Sequence, residues 1–137
     1  MKIKSAFLTD LDARNISGDT DMLLAPLRYY SKMMGRVIEA PYGFVTDYES
    51  IPRWLPLVYA WEKGYAKKAA CIHDLLYQKH EVGKRKADLI FLEAMKAQDP
   101  SVPYFKRETM YAGVMICGWT SYASGPDRYK VLNPKKT

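Results

Sequence analysis

Six polar or ionisable residues stand among apolar neighbours between Tyr42 and Asp88. They are Thr46, Asp47 and Ser50 in GFVTDYESIPRW, His73 and Asp74 in AACIHDLLYQKH, and Asp88 in GKRKADLIFLEAM. An unpaired charge set among Phe, Val, Ile, Leu and Ala is costly to bury, so something must hold these groups. Three chemistries are open to them. In the first, His73, Asp74, Asp88 and Asp47 converge on a divalent cation, since imidazole and carboxylate are borderline-to-hard ligands suited to Zn, Mn, Fe or Mg. In the second, Ser50 is a nucleophile, His73 its base, and Asp47 or Asp74 the group that orients the imidazole. In the third, the groups satisfy one another: Asp88 caps a helix or pairs with Lys84 or Arg85, and Asp47 fixes the tautomer of a buried His73.

Each chemistry asks something different of the local structure. His73 and Asp74 are adjacent on an expected helix, so their side chains diverge by about 100° yet both reach a cation placed over it. His80, seven residues after His73, shares its face if the helix persists that far. Ser50 lacks the Gly-x-Ser-x-Gly elbow and serves equally well as a helix N-cap. The His-Asp dipeptide has no histidine upstream of it, which leaves the helical phosphohydrolase pattern incomplete. There is also no phosphate loop, dinucleotide glycine fingerprint or paired CxxC.

The elements that must position these residues change character along the chain. Ala6 to Leu8 reads as a short strand, followed by a loop in the polar DARNISGDTD. Met22 to Tyr30 is apolar and aromatic, but Pro26 cannot donate to a ladder, so the run is an edge strand or an interrupted one. Arg36 to Ala40 alternates as its partner through a connection containing Gly35, and Phe44 to Thr46 is a third short strand. The period then becomes helical. A short helix is expected from Ser50, with Pro52 in its first turn and Pro56 close behind. Longer helices are expected over Tyr65 to about Lys79, Lys84 to Gln98, and about Tyr104 to Ala123, the last ended by Gly125-Pro126. Small residues Ala112, Gly113 and Gly118 would let another backbone approach closely. The predicted fold class is α+β: a small N-terminal antiparallel sheet of about three short strands, then three to four helices.

At 137 residues the chain fits one domain, read as residues 1–125 with a basic tail over 126–137, either mobile or a last extended segment. With 48% hydrophobic and 26% charged residues it reads as a globular protein, and no apolar run approaches the roughly 20 residues of a membrane span. The N-terminus lacks the apolar stretch and cleavage site of a signal peptide, which predicts synthesis and folding in the cytosol. Cys71 and Cys117 read as packed free thiols. Residues 1–62 hold 7 basic against 8 acidic side chains and residues 63–137 hold 14 against 7, so the positive excess lies wholly in the second half. No zinc-finger, helix-turn-helix or RNA-recognition pattern accompanies that charge, so nucleic acid is a partner without a motif, and a solvated helical face explains it as well. The 11 tyrosines lean toward a protein that docks onto others.

GFVTDYESIPRWL, AACIHDLLY, RKADLIFLEAM and MYAGVMICGW, in that order, resemble the bacteriophage and prophage family catalogued as domain of unknown function 1353. The resemblance covers roughly residues 22 to 120. Its pattern falls on Thr46, Asp47, Ser50, Pro52, His73, Asp74, Tyr77 and Asp88, and Glu49 stands where the family has a small residue. The resemblance implies a phage origin, a late, structural or lysis gene, other phage structural proteins as partners, and a location in the virion or the host cytoplasm. It supplies no activity. Two expectations follow: a virion or assembly protein of the tail or neck, rigidified by its Asp/His cluster, or a small metal-assisted hydrolase of peptidoglycan or a phosphate ester. In the hydrolase, a bound cation acidifies a water whose proton Asp47 or Asp74 takes.

Overall fold

The computed structural model describes residues 3–47 and 66–136. Ser50, Pro52 and the short helix expected there lie outside these residues. Among the described residues there are six strands and four α-helices, an α+β fold.

The strands form two antiparallel sheets of three rather than one sheet of about three. One contains β1 (Ala6–Phe7), β4 (Leu27–Ser31) and β5 (Arg36–Ala40) in the order β1-β4-β5; the other contains β2 (Ala13–Ser17), β3 (Thr20–Leu23) and β6 (Val45–Thr46) in the order β2-β3-β6. Pro26 interrupts the run Met22 to Tyr30 as its chemistry requires, and the two halves go to different sheets. The expected loop DARNISGDTD is instead a hairpin turning at Gly18, whose φ of 50° suits glycine. Four of the five β2 residues face water, so no apolar alternation marks the strand. In β4 and β5 the alternation is clear: Leu27, Tyr29, Ile38 and Ala40 point inward, while Arg28 and Glu39 pair on the outer face.

Glu93 ties this sheet to the helices. It accepts hydrogen bonds from Tyr29 Oη (2.7 Å), Ser31 Oγ (2.7 Å) and the Met33 N–H (2.9 Å).

The helices are α1 (Lys67–Lys79), α2 (Lys84–Ala97), α3 (Tyr104–Cys117) and α4 (Trp119–Arg128). Helix α1 is the centre of the molecule, with every residue from Ala69 to Gln78 buried. It packs against α2, α4, β5 and β6, so polar residues on any of its faces land in the interior. The expected single helix from Tyr104 to Ala123 breaks at Gly118. A Cβ there would fall 2.5 Å from Tyr77 Oη and 3.2 Å from Lys84 Cε.

Helix α4 then runs through Pro126 rather than ending there. Proline has no N–H for the carbonyl four residues earlier. His80 serves that carbonyl instead: its Nε2–H donates to Tyr122 O at 2.5 Å, with the two rings stacked 3.9 Å apart. His80 sits just past α1 in the left-handed conformation, φ 54°, so it does not share the face of His73. Beyond α4 the chain continues as an extended segment. Leu132 N–H donates to Gly43 O (2.8 Å), Val45 N–H to Lys130 O (3.1 Å), and Phe44 bridges Val131. Gly43 makes this crossing feasible, since a Cβ there would lie 1.9 Å from Leu132 O.

Candidate functional site

Because α1 turns by about 100° per residue, it sends His73 and Asp74 to different layers. His73 faces α2. Its Nε2–H donates to Asp88 Oδ1 at 2.8 Å, and its ring lies between Phe91 (centroids 4.6 Å apart) and Tyr77 (4.1 Å). Tyr77 Oη donates to the same Oδ1 at 2.5 Å, and Lys84 Nζ donates to Oδ2 at 2.7 Å. Lys84 is itself 5% exposed. Its ammonium also donates to the carbonyls of Val114 (2.9 Å) and Met115 (3.1 Å), which uses all three of its protons. Burial opposes ionisation of Asp88, but the hydrogen bonds it accepts from the His73 ring, the Lys84 ammonium and the Tyr77 hydroxyl outweigh it. The Asp88 carboxyl is held below its ordinary value.

Asp74 faces β6 and α4. Its Oδ2 accepts from Thr46 Oγ1 (2.6 Å), Gln78 Nε2 (3.1 Å) and the Asp47 N–H (3.3 Å). Arg128 closes this second network, donating through Nη1 to Asp47 Oδ1 (2.9 Å) and Asp74 Oδ1 (3.3 Å), and through Nη2 to Ser121 O (2.9 Å) and Oγ (3.0 Å). Burial raises the Asp74 carboxyl above its ordinary value and the nearby Asp47 charge adds to this, against Arg128, Thr46 and Gln78. Asp74 on α1 and Asp88 on α2 are thus displaced in opposite directions.

The expected convergence of Asp47, His73, Asp74 and Asp88 on one cation gives way to this division. Each network has recruited its own basic side chain, Lys84 for Asp88 and Arg128 for Asp47 with Asp74. Among the described residues no three His, Cys, Asp or Glu side chains come together in a way that could hold a metal ion. Among the described residues the His73 ring is bonded to the Asp88 carboxylate, and Asp47 is bonded to Arg128 instead. Ser50, the expected nucleophile, is outside the described residues. Cys71 and Cys117 are both free; burial, then the charges of Asp74 and Asp21, pushes the Cys71 thiol up and makes it a poor nucleophile.

The His73 network borders a surface pocket. A pocket of about 360 Å³ lies over Asp88 and Lys84, lined also by Arg85, Tyr111, Met115 and Trp119. The Trp119 ring stands 4.8 Å from Lys84 Nζ. Sequence reasoning named Lys84 as a partner for Asp88 but missed Arg128, which lies 81 residues from Asp47 within what read as a tail.

A family model described as "Protein of unknown function (DUF1353)" matches residues 22–114. The chain belongs to this family. The DUF1353 match takes in Thr46, Asp47, His73, Asp74, Tyr77, Lys84 and Asp88, and ends before Trp119, Ser121 and Arg128. The side chains of the His73 network therefore all lie within the family match, whereas the Asp74 network is closed by residues beyond it. No curated protein and no solved structure matches the chain. No helix among the described residues is long and apolar enough to cross a membrane.

Proposed function

We propose that this DUF1353 chain is a phage-encoded virion or assembly component, of the tail or neck, which docks onto other particle subunits through one face of α3 and the start of α4. A single observation carries the reading. Tyr104 (69% exposed), Phe105 (71%), Met115 (45%), Ile116 (70%) and Trp119 (65%) lie open to water. At about 100° per residue the four on α3 fall on the side opposite the buried Met110 and Val114, and Trp119 follows as the first residue of α4. Large apolar side chains aligned on one face mark an interaction surface, and aromatic residues with Met are what interface centres favour. The motif residues support the same reading, because His73, Asp74 and Asp88 are tied to other parts of the chain and act as internal bracing.

The test is made on purified particles that carry the gene. The expected result is the protein at fixed copy number, with Ile116→Glu and Trp119→Glu variants absent from particles while melting like the parent. Particles that lack the parent protein, or that admit both variants at full copy number, overturn the reading.

A second reading, a small hydrolase of peptidoglycan or a phosphate ester, is favoured by the pocket over Asp88 and by the opposed displacements of Asp74 and Asp88, a pattern that assigns acid and base roles in known sites. Its mark would be turnover of such a substrate, abolished by Asp88→Asn in a protein that stays folded.

A further inference from the structure

We infer that the pocket between the first turn of α2 and the junction of α3 with α4 is a binding site for a ligand with a flat apolar body and one anionic, carboxylate-type group. The inference goes beyond the assembly reading. It rests on which polar groups around the pocket are already committed and which are not.

The volume, about 360 Å³, is that of a small-molecule or side-chain site. Two of its six lining residues are committed. Asp88 accepts on Oδ1 from His73 and Tyr77 and on Oδ2 from Lys84, and Lys84 gives its three protons to Asp88, Val114 O and Met115 O. Their charges cancel, so neither calls for a ligand of its own. The other polar lining groups can all donate: the Arg85 guanidinium and the Trp119 indole N–H only donate, and the Tyr111 hydroxyl donates or accepts. None of the three has a hydrogen-bond or ion-pair partner among the described residues. The rim therefore offers one positive charge, on Arg85, with no partner among the described residues, beside neutral polar groups, while its single carboxylate already faces the Lys84 ammonium. A group that accepts hydrogen bonds and carries negative charge is what it lacks.

The apolar part of the ligand follows from the walls. Trp119 and Met115 are exposed, and Tyr111 is partly so, which gives two aromatic faces and a polarizable thioether around one opening. Such walls take a planar ring by stacking and sulfur contact. Lys84 Nζ, 4.8 Å from the Trp119 ring, holds that ring from the protein side and leaves the other side to the ligand. Met115 and Trp119 also belong to the exposed face of α3 and α4, so an aromatic side chain beside a carboxylate on a partner chain and a free aromatic acid present the same chemistry.

The experiment titrates the intact protein with indole-3-acetate, indole-3-acetamide and tryptamine, three probes with one ring and charges of opposite sign or none. Binding is followed by the indole N–H resonance of Trp119, assigned with Trp119→Phe. The carboxylate is expected to bind roughly fivefold or more tightly than either of the others, the size of a partly screened ion pair. Arg85→Gln is expected to abolish that preference while leaving the affinity for the amide unchanged; Arg85 is exposed and unpaired, so the variant should fold. A short peptide ending in Glu-Trp, compared with free indole-3-acetate, separates the two sources of the same chemistry: tighter binding of the peptide assigns the site to a partner chain, and equal binding to a small molecule. Three probes of equal affinity, or a preference that survives Arg85→Gln, would sink the inference. So would a short oligothymidylate that displaces the carboxylate from Trp119, which would assign the pocket to nucleic acid.

Discussion

Replacing Lys84 by Met takes away a buried cation and keeps most of the side-chain volume. The ammonium is almost fully enclosed and bonded to Asp88 Oδ2, Val114 O and Met115 O. Its loss takes a donor from two carbonyls, of which Val114 O keeps the Gly118 N–H (2.9 Å), and leaves a buried carboxylate short of its nearest countercharge. Breaking a buried pair from one side costs about 3–5 kcal/mol, which for a domain of this size lowers Tm by roughly 10–20 °C. The assay is urea and thermal unfolding of Lys84→Met, Asp88→Asn and the double variant. Since the double variant removes both charges, its loss should be no greater than that of Lys84→Met alone, a coupling of at least about 2 kcal/mol. The acid side of the stability curve adds a check of sign. Asp88 has a folded-state pKa below its unfolded one, so its contribution is present above the unfolded pKa and vanishes as pH falls through the folded value. Without Lys84 that depression shrinks, and acid unfolding should begin at higher pH. Single variants within about 1 kcal/mol of the parent, or losses that simply add, would show that the pair does not brace the fold.

Other expectations follow from the same geometry. Gly125→Ala should destabilise by about 1–3 kcal/mol and loosen α4 from α1 in hydrogen exchange, because its Cβ would fall 2.0 Å from Tyr77 O. His73→Ala, which removes a donor to Asp88 and a ring packed between Tyr77 and Phe91, should cost about 2–4 kcal/mol in urea unfolding; an unchanged midpoint would count against the network. Arg128→Leu should cost about 2–4 kcal/mol and be partly rescued by Asp74→Asn, since the lost cation leaves Asp74 buried with Asp47 beside it. Asp74 has a raised folded-state pKa, so its ionisation opposes folding as pH rises from the unfolded value through the folded one. In unfolding midpoints measured across that range, Asp74→Asn should remove the corresponding decline.

Three- and four-residue spacings located α1 and α2 to within about two residues at either end, and alternation located β5; α2 buries one stripe, whereas α1 is enclosed on every side from Ala69 to Gln78. The hairpin β2–β3 was illegible for the opposite reason: β2 faces water and carries no apolar period. Apolar residues continue through Gly118, so the break between α3 and α4 had no hydrophobic signature, and the donor that Pro126 lacks for Tyr122 O comes from His80, far away in sequence. The polar residues around His73 were recognisable as a buried set from the apolar company they keep. Their sorting into two networks was not, since it depends on where Arg128 and Lys84 arrive in space, and a counter-ion separated from Asp74 by 54 residues leaves no local pattern.

The order in which the networks can close has a consequence for synthesis. Every donor and acceptor of the Asp88 carboxylate and its lysine is present once the chain has emerged as far as Met115, whereas Asp74 stays without its cation until Arg128 appears. On the ribosome, where N-terminal parts fold first, the Asp88–Lys84 pair can therefore close before Arg128 arrives to join Asp74 and Asp47. A nascent chain stalled between those two points would hold one finished charge pair and one acid with its hydrogen bonds but without its counter-ion, a form that chaperones and proteases would meet and the mature protein never shows.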